Sequence, residues 1–147
     1  MKYPIYCIFG FLFLLVSLPT SAQLLGREEQ GKASFYAQMF NGRKTSCGEK
    51  FSQTELTAAH RTLPFNTMVE VTNLSNNKSV IVRINDRGPY HHSRMLDLTR
   101  AAAQHLGFLA KGVATIKMRI VGMEGMVLLG KDEFVTDTGE ILEKVLK

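Results

Sequence analysis

The sequence predicts a small, mainly β domain, a barrel of short strands with one helix. Three observations predict it. Met68–Leu74, Ser79–Ile84 and Gly112–Val121 are rich in β-branched residues and alternate in character at a period of two. Within residues 31–121 one stretch, beginning near Asp97, reads as a helix. Turn formers punctuate the rest: Asn41-Gly42, Cys47-Gly48, Leu63-Pro64, Asn76-Asn77 and Gly88-Pro89. A β-sandwich uses the same strands, and strand count alone does not separate the two.

The chain has 147 residues, 45% hydrophobic and 21% charged, which suits one domain with short extras. A formal charge of +5 favours an anionic partner: nucleic acid, a membrane surface or an acidic polymer. No Lys/Arg run or base-stacking motif singles out nucleic acid, so none is expected as a partner. Lys2, the apolar run Ile5–Leu18 and the small residues Thr20-Ser21-Ala22 have the layout of a secretory signal peptide over residues 1–22. The run is short for a span of about 20 residues, so no stable membrane insertion is expected after cleavage. Cys7 lies inside the run and not at its end, so no lipid anchor is expected. Cys47 is then alone in the mature chain, and the core must hold without an intramolecular disulfide.

The elements follow in order. Residues 23–30 are polar and read as a loose lead-in to a domain over 31–121. Gly31–Tyr36 reads as a first strand, and Ala37–Lys50 as a turn-rich loop ending near Glu49. Leu56–His60 is a short strand, and Leu63–Thr67 a turn. Met68–Leu74 and Ser79–Ile84 form a hairpin through Ser75–Lys78, where Asn tolerates a left-handed backbone. In the second of these strands Val80, Val82 and Ile84 alternate with Ile81, Arg83 and Asn85. Asp86 then sits where a rigid strand opens into the turn Asn85–Pro89. Asp97 or Thr99 caps a helix that runs to Leu106 and stops at Gly107. Gly112–Val121 is the last clear strand. Residues 122–147 form an extension whose apolar positions fit a hairpin and a terminal helix, with no functional reading.

Several motifs occur in an order that resembles the rare lipoprotein A (RlpA) family. They are Gly31–Tyr36, Gly42–Thr45, Gly48-Glu49, Leu56–His60, Thr62–Pro64, Val71–Leu74, Val82–Pro89 and Asp97–Thr99. The resemblance implies a six-stranded double-psi β-barrel. It implies an exported lytic transglycosylase that cleaves the MurNAc–GlcNAc β-1,4 bond of denuded peptidoglycan strands. It places the family's catalytic set on Asp86, Glu49 and His60. More distant relatives with this barrel, the expansins, use acids matching Asp86 and Asp97 on a polysaccharide groove without clear hydrolysis, which makes a non-catalytic, wall-loosening glycan binder the alternative. The sequence departs from the family in lacking a lipobox and a SPOR repeat, and in placing Cys47 two residues before Glu49.

Lytic transglycosylation uses no water: an acid protonates the leaving oxygen, and the muramyl C6 hydroxyl closes a 1,6-anhydro ring. One carboxyl can therefore serve as acid and then base, unlike the paired carboxylates of ordinary glycosidases. Asp86 is the expected acid/base, which calls for a raised pKa. Desolvation or a carboxylate such as Glu49 or Asp97 would raise it, whereas a close Arg83 or Arg87 would lower it. His60 is expected to orient a carboxylate or to meet the sugar. Substrate contacts are expected at Asp97, Arg87, Asn85, Tyr36 and Tyr90, the tyrosines stacking on sugar faces. Arg94 and Lys44 are further partners for muramyl carboxylates. His91-His92 do not make a chelating pair on a strand, and no metal or other cofactor is expected. A Cys47–His60 nucleophilic dyad has no supporting motif. The expected product is a monomer of the cell envelope, outside the inner membrane.

Overall fold

The computed structural model describes residues 24–127, 133–135 and 141–143. The expected signal peptide lies outside these residues. The strands are β1 (Glu28–Phe35), β2 (Thr57–Ala59), β3 (Thr67–Asn73), β4 (Ser79–Asp86), β5 (Leu96–Leu98) and β6 (Val113–Met123), with helix α1 (Arg100–His105) between β5 and β6. They pair in the order β1-β5-β2-β4-β3-β6, and β1 pairs with β6 to close the ring. That closure decides for the barrel over the sandwich, because a sandwich keeps two separate sheets. Two pairings, β1 with β5 and β2 with β4, are parallel; the others are antiparallel. This is the six-stranded double-psi β-barrel.

Alternation builds the core. Val69 and Val71 of β3, Val80, Val82 and Ile84 of β4, Leu96 and Leu98 of β5, and Ile116 and Met118 of β6 are all fully buried. Their shared direction follows from the two-residue pleat. Leu106 and Phe108 close one end, brought there by α1. Thr99 caps α1, its hydroxyl accepting from the Ala102 amide, and Gly107 ends it at φ +72°. Asp97 is therefore not the cap; it lies in β5.

Some boundaries differ from the sequence reading. β1 begins at Glu28, inside the stretch read as a lead-in, because Glu28–Gln30 pair with Arg119, Met118 and Lys117 of the long strand β6. A polar sequence forms strand here because its partner supplies the hydrogen bonds. His91 and His92 lie in a bend rather than a strand. Beyond the barrel, β7 (Met126–Val127) extends β6, and β8 (Glu133–Val135) pairs with β9 (Ile141–Glu143) as the expected hairpin. Ile141–Glu143 are thus strand, within the extension expected to hold a hairpin and a terminal helix.

Candidate active site

The site is assembled on the outside of the barrel wall. Ser34 of β1 stands in register with Asp97 of β5, Asp97 with Ala59 of β2, and Ala59 with Asp86 of β4. Residues in register share a face, so these four form one lateral row. Asp86 and Asp97 lie two strand spacings apart, about 10 Å between their Cα atoms. The small Ala59 between them is fully buried, with Gly88 of the turn after β4 nearby.

Asp86 reaches this face through a β-bulge. On strict alternation it would follow Val82 and Ile84 into the core. The β2–β4 register instead runs Ala58 to Ile84 and then Ala59 to Asp86, so Asn85 is an extra residue. The insertion turns Asp86 outward, as bulges beside functional sites do.

The two acids of the row line a cleft of about 590 Å³. Its walls include Tyr36, Phe40, Arg43, Lys44, Phe51, Arg87, Tyr90, His91 and Arg94, with both acids among them. Tyr36 packs between Phe40 and Phe51, ring centroids 5.8 and 4.6 Å away. Gln53 steadies that corner: its amide nitrogen donates to the Tyr36 and Ala37 carbonyls. Tyr90 is 86% exposed at the mouth.

The Asp86 carboxylate accepts four hydrogen bonds. Tyr36 Oη donates to Oδ2 at 2.7 Å; the Ser46 amide, Ser46 Oγ and the Arg87 amide donate to Oδ1 at 2.8, 2.7 and 2.8 Å. Burial by itself pushes this carboxyl up, but the donors from Ser46, Tyr36 and Arg87 together outweigh it and hold the pKa below the ordinary value. The expectation of a raised pKa is thus corrected: donors fixed by the fold favour the ionised form. Tyr36 responds in the opposite sense, its phenol pushed up by burial first and by Asp86 second. Asp97 accepts from Ser34 Oγ at 2.6 Å and faces Arg94 at 3.6 Å; Arg94 also donates to Ser34 Oγ.

Glu49, Asn85, His60 and Arg87 bring no side-chain hydrogen bond to this carboxylate. Among the described residues, the cleft wall includes neither Glu49 nor His60. Glu49 forms a two-point ion pair with Arg83, at 2.7 and 2.8 Å, and accepts from Asn85 Nδ2 at 3.2 Å. Arg83 first, then Asn85, lower the Glu49 pKa to about 2 against a smaller burial effect. Arg83 is therefore engaged by Glu49 and not by Asp86. Asn85 is 2% exposed and serves Glu49, so it does not present itself to a substrate. His60 touches Asp86 through the backbone only, its amide donating to the Asp86 carbonyl at 3.2 Å. Its ring Nδ1 accepts from the Thr62 and Leu63 amides, and burial lowers its pKa, so it is held neutral. Arg87 donates to the His60 and Leu63 carbonyls and stacks over Phe65 at 3.8 Å, which occupies much of its guanidinium. Ser46, Ser34, Gln53 and Phe40 are the site residues that sequence reasoning missed. Only the turn-rich character of Ala37–Lys50 pointed towards Ser46.

Comparison with known proteins places this architecture. The family described as lytic transglycolase matches residues 28–118, the whole span of the closed barrel up to Met118. The chain belongs to the RlpA-type lytic transglycolase family. It is 49% identical over 109 residues to the endolytic peptidoglycan transglycosylase RlpA of Neisseria meningitidis serogroup A, covering 73% of this chain and 46% of that protein. To the RlpA of Campylobacter jejuni it is 47% identical over 98 residues, covering 67% and 36%. The chain therefore spans less than half the length of these RlpA relatives. Solved structures share the barrel at lower identity. A Streptomyces papain inhibitor matches at TM-score 0.53 and 24% identity, over 65% of this chain and 94% of its own. A Clavibacter michiganensis expansin solved with cellohexaose matches at TM-score 0.53 and 18% identity, over 65% and 50%. Within the family, the described residues hold no group of three or more His, Cys, Asp or Glu side chains arranged for a metal. No described helix is long and apolar enough to cross a membrane.

Proposed function

We propose that this chain is an endolytic peptidoglycan lytic transglycosylase, cutting the MurNAc–GlcNAc β-1,4 bond of denuded glycan strands in the cell envelope to leave 1,6-anhydro-muramyl ends. The observation that carries the reading is the Asp86 carboxylate, fixed by four donors on the floor of an open cleft, in a chain that belongs to this family. RlpA relatives named as endolytic peptidoglycan transglycosylases support the substrate.

The proton inventory closes on one side chain. Protonated Asp86 gives its proton to O4 of the leaving GlcNAc as the C1–O4 bond breaks. The resulting carboxylate takes the proton of the muramyl C6 hydroxyl as O6 bonds to C1. No water is consumed, and Asp86 ends as it began. The free protein favours the ionised form, so the competent state is a minority at neutral pH. A glycan lying in the cleft displaces water from Asp86 and strengthens the burial effect, which moves the carboxyl towards protonation. Tyr36 and Tyr90 offer ring faces to the sugar, and Asp97, held by Ser34, offers an acceptor to its hydroxyls. Glu49, His60 and Asn85 support the site from outside the cleft, and Arg87 from its wall.

The test is incubation of the purified protein with denuded strands, with mass spectrometry of the products. Anhydro-muramyl ends that fall by about 100-fold or more in Asp86→Asn, with the fold retained, are expected. Binding without new ends would replace this reading with an expansin-like one, for which an ionised Asp86 is well suited. Reducing ends without anhydro sugar would mean hydrolysis.

A further inference from the structure

The Glu49 carboxylate is held by Arg83 and Asn85, neither of which lines the cleft. We infer that Glu49 is a positioning residue: gripped by Arg83 and Asn85, it docks the Thr45–Gly48 turn onto β4 and so sets Ser46 against the Asp86 carboxylate. The inference rests on Asp86 being the reacting group of the proposed function.

The chain of contacts is continuous. Lys44 and Lys50 bridge across a tight hairpin. Its turn closes with the Gly48 amide donating to the Thr45 carbonyl at 3.0 Å, and Gly48 holds φ +97°, where other residues are strained. The Glu49 carbonyl accepts from the Thr45 amide at 2.8 Å and from Thr45 Oγ1 at 3.1 Å, which ties Glu49 to the start of the turn. The Glu49 carboxylate then fastens the hairpin to Arg83 and Asn85 of β4, helped by the Cys47 amide donating to the Asn85 carbonyl at 3.3 Å. Ser46, at the tip, is left with its amide and its hydroxyl both on Asp86 Oδ1. Asn85 is the bulge residue that turned Asp86 outward, so the same contact holds both the acid and its donor.

An acid already committed to two guanidinium bonds and an amide is a poor proton carrier, whereas a clamp needs that geometry. Release of the clamp frees the hairpin, and Asp86 then loses two of its four donors. The titratable and charged groups around Asp86 are Tyr36 just after β1, Asp97 with Arg94 beside β5, Arg87, Tyr90 and His91 after β4, and Arg43 and Lys44 on the hairpin itself. Of these, Arg43 and Lys44 move with the hairpin, and Arg43→Gln and Lys44→Gln, each with Asp86 kept, serve as controls.

The experiment follows the carbon resonance of the Asp86 carboxyl through a pH titration of the full chain, beside pH profiles of kcat/KM on denuded strands. Wild type is compared with Ser46→Ala, Glu49→Gln, Glu49→Ala and Ser46→Ala/Glu49→Ala, with circular dichroism for folding. Loss of Ser46 moves the Asp86 titration upward. Glu49→Ala moves it the same way and further, since the Ser46 amide is released with the hydroxyl, and the double variant goes no further than Glu49→Ala, because both act on one contact. Glu49→Gln, which keeps an acceptor for Arg83, stays within about 10-fold of wild-type kcat/KM and shows a smaller shift. A Glu49→Gln variant as inactive as Asp86→Asn, with the Asp86 titration unmoved, would make Glu49 a proton carrier and overturn the inference. The titration needs no substrate. An inactive wild type therefore rejects transglycosylation while the shifts still decide the role of Glu49, and their absence in folded Glu49→Ala rejects it.

Discussion

Tyr36→Phe isolates one hydrogen bond and leaves its surroundings in place. The ring stays between Phe40 and Phe51, and only the Oη donor to Asp86 Oδ2 is lost. A hydrogen bond to an ionised group contributes about 1.5–3 kcal/mol. Asp86 borders an open cleft, so water can take the vacated position, and about 1 kcal/mol of lost stability is expected at neutral pH. The pH dependence gives the reasoning its edge. Asp86 is held below its ordinary pKa in the folded protein. Its contribution is therefore complete above the unfolded value of about 3.9 and is lost as pH falls through the lower folded value. The variant surrenders part of that contribution, so the stability gap from wild type must close on acidification. Urea unfolding of both proteins at about pH 7 and about pH 2.5 measures it. A gap of equal size at both values would refute the reasoning, because it would show the hydroxyl acting through something other than ionised Asp86. In the activity assay the same variant should move the kcat/KM profile to higher pH, since the acid is easier to protonate.

Other variants test the remaining contacts. Arg83→Met should cost about 1 kcal/mol at neutral pH, discounted because the Glu49 side chain is 40% exposed. With the Glu49 pKa lowered to about 2, that contribution is complete above the unfolded value of about 4.3 and is lost as pH falls from there through the folded value, which urea unfolding can follow. His60→Ala should cost about 1–2 kcal/mol at about pH 8, since the Thr62 and Leu63 amides lose their acceptor. Burial keeps His60 neutral, so its contribution is present above the unfolded value of about 6.5 and declines below it; wild-type stability should fall between about pH 6.5 and 5 while the variant stays flat. A common slope would show that His60 does not titrate as described. For the wild type, kcat/KM should rise as pH is lowered from about 7, because the protonated form of Asp86 starts the reaction.

Much of the fold was legible because it is local. The alternation of β3, β4 and β6, the turn at Asn76-Asn77 and the stop at Gly107 each follow from neighbouring residues. The short strand β5 was not legible, since Leu96–Leu98 owe their conformation to β1 and β2 on either side. The candidate site was half legible. Asp86, Asp97, Tyr36 and Tyr90 do border one cleft, whereas Glu49 and Asn85 are spent on each other and Arg83. Ser46 was hidden because a serine in a turn carries no mark of the carboxylate it meets 40 positions later.

The amino-acid order alone determined the motifs that mark the family, the strand pattern, and the placing of an acid at the end of a rigid strand. The tertiary structure decided which way that acid points. By the pleat of its own strand Asp86 belongs to the core; the extra residue Asn85, accommodated only when β4 pairs with β2, rotates it into the cleft. Pairing of β5 with β2 and with β1 likewise brought Asp97 and Tyr36 beside it from distant parts of the chain. Pairing register and hydrogen-bond partners are properties of strands in contact, so neither can be read along one strand by itself.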